Sequence, residues 1–112
     1  MSDCIFCKMA AGEIKPDIVY EDQDILAFRD INPQAPVHIL LIPKQHLPTL
    51  NDLDDPQLAG KLLQTATLLA KQEGLSATGY RTVINCNADG GQEVYHLHLH
   101  LLGGRKLRWP PG

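Results

Sequence analysis

The chain has no apolar run approaching the roughly 18 residues a membrane-spanning helix needs. Its opening stretch "MSDCIFCKMAAGE" lacks a basic segment followed by an apolar one. Neither a bilayer span nor a secretory leader is expected, and the expected compartment is the cytoplasm. Cysteine is scarce: 3 in 112 residues. That odd count does not suggest a disulfide framework, so in a reducing compartment Cys4 and Cys7 need another explanation. A surplus of either charge is also missing. The formal net charge of −3 gives no general attraction for nucleic acid or an anionic membrane, so neither is expected as a partner. Any phosphate must be held by a local arrangement. No repeat, low-complexity segment or interdomain linker occurs. With 44% hydrophobic and 21% charged residues, residues 1–112 read as one soluble domain with a C-terminal tail at about 103–112.

What is abundant is local. Of five histidines, three fall in "VYHLHLHLLGG" at His96, His98 and His100. On a helix this spacing would scatter them. On a strand all three share one face, with Leu97, Leu99 and Leu101 on the other, the alternation of a half-buried strand.

The remaining elements follow from pattern. Asp3 can cap a short helix from about Cys4 to Ala11, ended by Gly12, with Ile5, Phe6 and Met9 making apolar contacts. Ile18–Tyr20 and Ile25–Arg29 read as a hairpin, and "INPQAP" as a turn, because Pro33 and Pro36 lack the N–H a ladder needs. "VHILLIP" is a third strand. Asp55 caps a long helix with Pro56 in its first turn and Gly74 at its stop, and Leu58, Leu62, Ala66 and Leu69 form its apolar stripe. Tyr80–Cys86, with Cys86 a plain strand residue, and the histidine strand bring the count to five. The expected class is α+β, a mainly antiparallel sheet with one long and one short helix.

Three explanations fit the histidine row. It can be an ordinary strand end that happens to be His-rich. It can be a zinc site, since imidazoles two apart on a strand can share an ion, and an open fourth position would make it hydrolytic. Or one imidazole can be a nucleophile that attacks phosphorus while its neighbours position or protonate other groups. The last reading needs an anion site. "NADGGQE" just upstream offers one: Gly90 and Gly91 allow close backbone approach, and Gln92 adds a side-chain donor. Asp30 can cap the turn it begins or accept from both ribose hydroxyls, with Ile31 beside it to pack on a base. His38 in the third strand is either structural or holds another imidazole in the right tautomer.

Cys4 and Cys7, at i and i+3 on a helix, point their thiols to one side near its N-terminus. They make half of a zinc site, which His46 and one histidine of the row could complete as Cys₂His₂. A redox pair lacks the surrounding βαβ pattern. Two inert buried thiols are the plain alternative.

These residues carry a family resemblance. "HLHLHLL" matches the histidine-triad signature, and the chain resembles that family from Cys4 to its last residue. "LAFRDINPQAP", "DGGQEVYHLHLHLLGGR" and the closing "WPPG" are similar to its nucleotide-binding branch, the Hint proteins. The resemblance implies a homodimer whose two five-stranded sheets join, and hydrolysis of purine nucleoside phosphoramidates such as AMP–amine conjugates without an organic cofactor. By motif position His98 would be the nucleophile, forming a nucleotidyl-histidine, with His100 and His38 assisting. Asp30 would hold the ribose, Ile31 would pack on the base, and Asn85, Gly91 and Gln92 would lie at the phosphate. Trp109 would reach across the dimer to the leaving-group side of the partner's site. Two features depart from many Hint proteins. Glu93 stands where some carry serine, and a carboxylate there would repel phosphate unless turned away or paired. "CIFC" is the pair found in zinc-containing histidine-triad proteins, in which the first histidine of the triad is the usual fourth ligand. This implies a structural zinc on Cys4, Cys7, His46 and His96. A different class remains open: a nucleotide-binding or scaffolding protein whose hydrolysis is incidental.

Overall fold

Alternation along the strands sets up two apolar layers, one on each face of a single sheet. The computed structural model describes residues 3–112. Met1 and Ser2, which begin the stretch read above for a leader, lie outside the described residues. The elements run α1 (Ile5–Ala10), β1 (Ile18–Glu21), β2 (Ile25–Arg29), β3 (Val37–Pro43), α2 (Pro56–Gln72), β4 (Tyr80–Val83) and β5 (Leu99–Gly103). The sheet order is β1-β2-β3-β5-β4 and every neighbouring pair is antiparallel. This is the expected α+β architecture.

On one face, Ile25, Ala27, Ile39, Leu41, Leu99 and Leu101 pack against Leu62, Ala66, Leu69 and Ala70 of α2. On the other, Leu26, Phe28, Leu40 and Ile42 pack with Phe6 of α1. β2 and β3 are therefore buried on both sides and read as near-continuous apolar runs, whereas β5 alternates leucine with histidine. Each fully buried Leu or Ile contributes roughly 1.5–3 kcal/mol, so the α2 layer rests on its whole stripe. The ends of α2 are as expected. Asp55 accepts from the Gln57 N–H at 3.0 Å, Pro56 occupies the first turn, and Gly74 follows the helix at φ +77°.

Three expectations are corrected. The first helix is capped by Cys4, whose Sγ accepts from the Cys7 N–H at 3.3 Å, and not by Asp3. The strand expected to reach Cys86 ends at Val83, and the chain turns at Asn87 with φ +61°. The histidine strand begins its ladder only at Leu99, opposite Leu41. The cause lies opposite: Pro43 has no N–H to donate, and its carbonyl accepts from the ring of His96 at 2.8 Å. Leu97 bonds instead to the Leu47 carbonyl at 2.7 Å. Leu97 still joins the α2-side core, so the leucine face expected from the sequence is kept.

Candidate active site and metal centre

Strand parity puts His38, Leu40 and His100 on the face covered by α1, with His100 directly opposite Leu40 in the ladder. His38 Nε2 lies 2.9 Å from His100 Nδ1. The proton on this contact can be placed. Gln34 donates its backbone N–H to His38 Nδ1 at 3.0 Å, so the neutral His38 ring carries its hydrogen on Nε2 and donates it to His100 Nδ1. His100 must then hold its own hydrogen on Nε2. That atom is buried and has no hydrogen-bond partner among the described residues. Burial, followed by the neighbouring His98 and His38 rings, pushes the pKa of His100 down to about 4 from 6.5. Burial likewise lowers His38, against the opposing pull of Asp30. Both rings are held neutral, and a poised N–H stands waiting for an acceptor.

His98 shows the opposite polarity. Its Nδ1 donates to the backbone carbonyl of His96 at 2.8 Å, so in the neutral ring Nε2 keeps the lone pair. The His98 and His100 ring centroids are 5.0 Å apart. A lone pair and a donor therefore stand side by side, the two functions needed to attack an electrophile and stabilise the charge that develops on it.

Both rings line a cavity of about 380 Å³. Its apolar wall comes from Ile5, Phe6 and Met9 of α1, Phe28, Leu40, Ile31 and Val94; its polar part includes Asp30, Asn85, Gly91 and Glu93. Ile31 is 98% exposed, an uncovered apolar side chain at the rim. The α1 wall was missed in the sequence, where Phe6 read only as a core contact. Asp30 caps the turn it begins, Oδ1 accepting from the Asn32 N–H at 2.8 Å, while Oδ2 lies 3.4 Å from His38 Nε2.

Two residues expected at the phosphate carry hydrogen bonds of the fold. Gln92 is buried, and its side chain is committed to the fold. Oε1 accepts from the Asn87 N–H, and Nε2 donates to the carbonyls of Pro48 and Val94. The N–H groups of Gly91 and Gln92 close the turn onto the Ala88 and Asn87 carbonyls. Gly91 is at φ +77°, and a Cβ at Gly90 would strike the Cys86 carbonyl, so the glycines are needed to fold the turn. Trp109 lies outside this cavity and is 81% exposed, with little of this chain over it.

Cys4, Cys7, His46 and His96 converge, their ligand atoms all within 4.8 Å of one another. Their spacing fits a tetrahedral ion. Zn–N near 2.0 Å and Zn–S near 2.3 Å would place two nitrogens about 3.3 Å apart, and sulfur and nitrogen about 3.5 Å apart. Here His46 Nδ1 and His96 Nδ1 are 3.1 Å apart; Cys4 Sγ and Cys7 Sγ lie 3.3 and 3.5 Å from His96 Nδ1, and Cys7 Sγ lies 3.1 Å from His46 Nδ1. Because His96 donates Nε2–H to Pro43, its Nδ1 lone pair faces the cluster, the outer-shell pattern of a ligating histidine. Burial also lowers its pKa. His96, His98 and His100 do not form a shared ligand set among the described residues. Asp30, His38 and His100 do come together, but the proton between the two rings occupies the lone-pair position an ion would need.

An antiparallel sheet that carries an alternating histidine row over an apolar cavity, with a neutral histidine pair behind it, defines a small α+β protein of the histidine-triad type. The chain belongs to the HIT domain family, whose model matches residues 11–107. It is 51% identical to a purine nucleoside phosphoramidase of Escherichia coli over 94% of this chain and 90% of that one. It is 54% identical to a 14 kDa zinc-binding protein of Brassica juncea, over 98% of this chain and all of that one. A crystal structure of a HIT family hydrolase from Legionella pneumophila matches with a TM-score of 0.96 at 59% identity, covering 98% of this chain and all of that one.

Proposed function

We propose that the protein is a purine nucleoside phosphoramidase acting through a covalent histidine intermediate. The observation that carries this is the complementary protonation of adjacent rings, with a lone pair at His98 Nε2 and a partnerless proton at His100 Nε2 beside one cavity. The likeness to the Escherichia coli phosphoramidase supports the choice of substrate class.

The purine would lie in the apolar part of the cavity against Ile31 and the α1 wall, with Asp30 near the ribose. His98 Nε2 attacks phosphorus, the N–P bond to histidine forms, and the P–N bond to the amine breaks. The departing amine takes a proton from solvent, and His100 Nε2–H stabilises the phosphoryl oxygens or the leaving nitrogen. Water then attacks phosphorus and gives up a proton to solvent, the histidine–phosphorus bond breaks with its electron pair returning to His98 Nε2, and AMP leaves. His38 acts behind His100, holding its tautomer.

Cys4, Cys7, His46 and His96 would hold a structural zinc, which when bound cross-links α1 to the chain entering β5. A homodimer joined through a sheet edge, with the tail ending at Trp109 crossing to the partner's site, is part of the same proposal. The large exposed indole supports it.

Rapid quench of the protein with an AMP–amine conjugate, followed by intact-protein mass spectrometry, tests the reaction. A mass gain of one nucleotidyl group that is absent in His98→Asn is expected. AMP binding without adduct or AMP release would favour a nucleotide-binding or scaffolding role instead.

A further inference from the structure

Five ionisable residues line the cavity: Arg29, Asp30, Glu93, His98 and His100. The guanidinium of Arg29 is committed to Glu73, donating to both carboxylate oxygens at 3.1 Å. Asp30 is held by the Asn32 N–H and stands near His38. Both rings of the pair carry structural hydrogen bonds. Glu93 differs: among the described residues its carboxylate has no ion-pair or hydrogen-bond partner.

Its backbone cannot readily carry it away. Glu93 sits between Gln92, whose side chain is pinned to Asn87 and Pro48, and Val94, whose carbonyl accepts from Gln92 Nε2 at 3.1 Å. It belongs to the polar part of the lining with Asn85 and Gly91, whereas a purine would take the apolar part. Glu93 is exposed to solvent and borders the polar part of the cavity, the part left for phosphate and leaving group. An unpaired carboxylate beside a phosphate anion is repulsive unless a positive charge lies between or beyond them. Among the described residues no unpaired cation lies in this lining, so a cationic group on the substrate would supply that charge.

We propose that Glu93 is a specificity-determining residue that reads the charge of the leaving group. It favours phosphoramidates whose departing amine bears a second, cationic ammonium, and disfavours those whose amine carries a carboxylate. Glu93 takes no part in bond making or breaking. The inference rests on the phosphoramidase reading above.

Three AMP conjugates of nearly equal size test it: n-butylamine, propanediamine and β-alanine, which differ in the charge at the far end. On kcat/KM relative to the butyl conjugate, the wild type should prefer the diamine and reject β-alanine. Glu93→Gln should lower the diamine-to-butyl ratio by about fivefold to tenfold and raise the β-alanine-to-butyl ratio by a similar factor. Glu93→Asp should keep part of the preference, and high ionic strength should weaken it in the wild type. Ratios unchanged in Glu93→Gln, whatever the absolute rates, would overturn the assignment and leave the phosphoramidase reading standing. A wild type that hydrolysed none of the three would remove that reading, and this inference with it.

Discussion

The Nδ1 atom of His98 donates to the backbone carbonyl of His96 across 2.8 Å, so the ring holding the free lone pair is aimed by the peptide of a residue whose own ring faces the cysteines. Phe6 reinforces the link. It lies between Cys4 and Cys7 in sequence and packs edge-on against both imidazoles, with centroids 5.9 Å from His96 and 5.2 Å from His98. The candidate metal centre and the candidate nucleophile are thus two ends of one packed unit.

Replacing His98 with Asn should abolish turnover by several orders of magnitude while leaving the fold and AMP affinity near wild type, because a covalent route cannot proceed without its nucleophile. His100→Asn should cost less, since it removes a donor and not the attacking atom. Steady-state assays with an AMP–amine conjugate, alongside titration calorimetry with AMP, check both. Near-normal hydrolysis by the His98 variant would sink the mechanism.

The histidine face and the long helix with its caps were legible in the sequence because each rests on a short-range rule, period two or period near 3.6; ligand chemistry pointed to Cys4, Cys7 and His46 with one histidine of the row, and the family resemblance singled out His96. The ladder start at Leu99 was not, because it depends on Pro43 lying opposite in the folded sheet. Nor was the role of Gln92. Its polar side chain next to a Gly–Gly turn reads as a donor for a ligand, yet the fold leaves backbone groups of Asn87, Pro48 and Val94 in need of partners, and Gln92 satisfies all three. The apolar cavity wall was hidden for a similar reason. Phe6, Phe28 and Leu40 meet only when α1 folds over β2 and β3.

Protein expressed in zinc-replete medium should contain one zinc per chain by elemental analysis. Chelation should lower the melting temperature by something on the order of 10 °C, because the ion joins α1 to the chain before β5. Cys7→Ser should lose metal and stability together. Through the His96 carbonyl and Phe6, AMP formation should fall as well, but by less than about tenfold. Metal-free protein of unchanged stability would leave the cysteines as ordinary packing residues.

Acid should destabilise the fold over a defined window. His100 has a folded pKa of about 4, below its ordinary 6.5, so between these values the unfolded chain binds more protons than the native one. Stability therefore rises with pH in this range; the contribution is full above 6.5 and is lost as pH falls toward 4. Urea titrations across the window should show that slope, and His100→Asn should flatten it. The comparison between the two proteins cancels any acid release of metal. An identical slope in the variant would mean that other groups, His38 and His96 among them, carry the acid sensitivity.

The tail offers a separable test of assembly at the site. Beyond β5 the chain keeps few ties to its own body. Arg81 donates to the Arg108 carbonyl at 2.9 Å on an exposed surface, and Trp109 is 81% exposed. An exposed hydrogen bond of this kind is worth about 0.5–1.5 kcal/mol, so deleting Leu107 to Gly112 should lower stability only slightly. If the indole borders the leaving-group side of a partner's cavity, the deletion should leave AMP affinity near wild type and change the relative kcat/KM of conjugates with different amines. A short alkylamine conjugate and a bulky indole-bearing one, assayed on full-length and truncated protein, separate the cases. The bulky conjugate should respond more, because only it reaches far enough to touch the tail. An equal fall for both would assign the segment to stability, and sedimentation at matched concentrations would show whether the dimer had been lost with it.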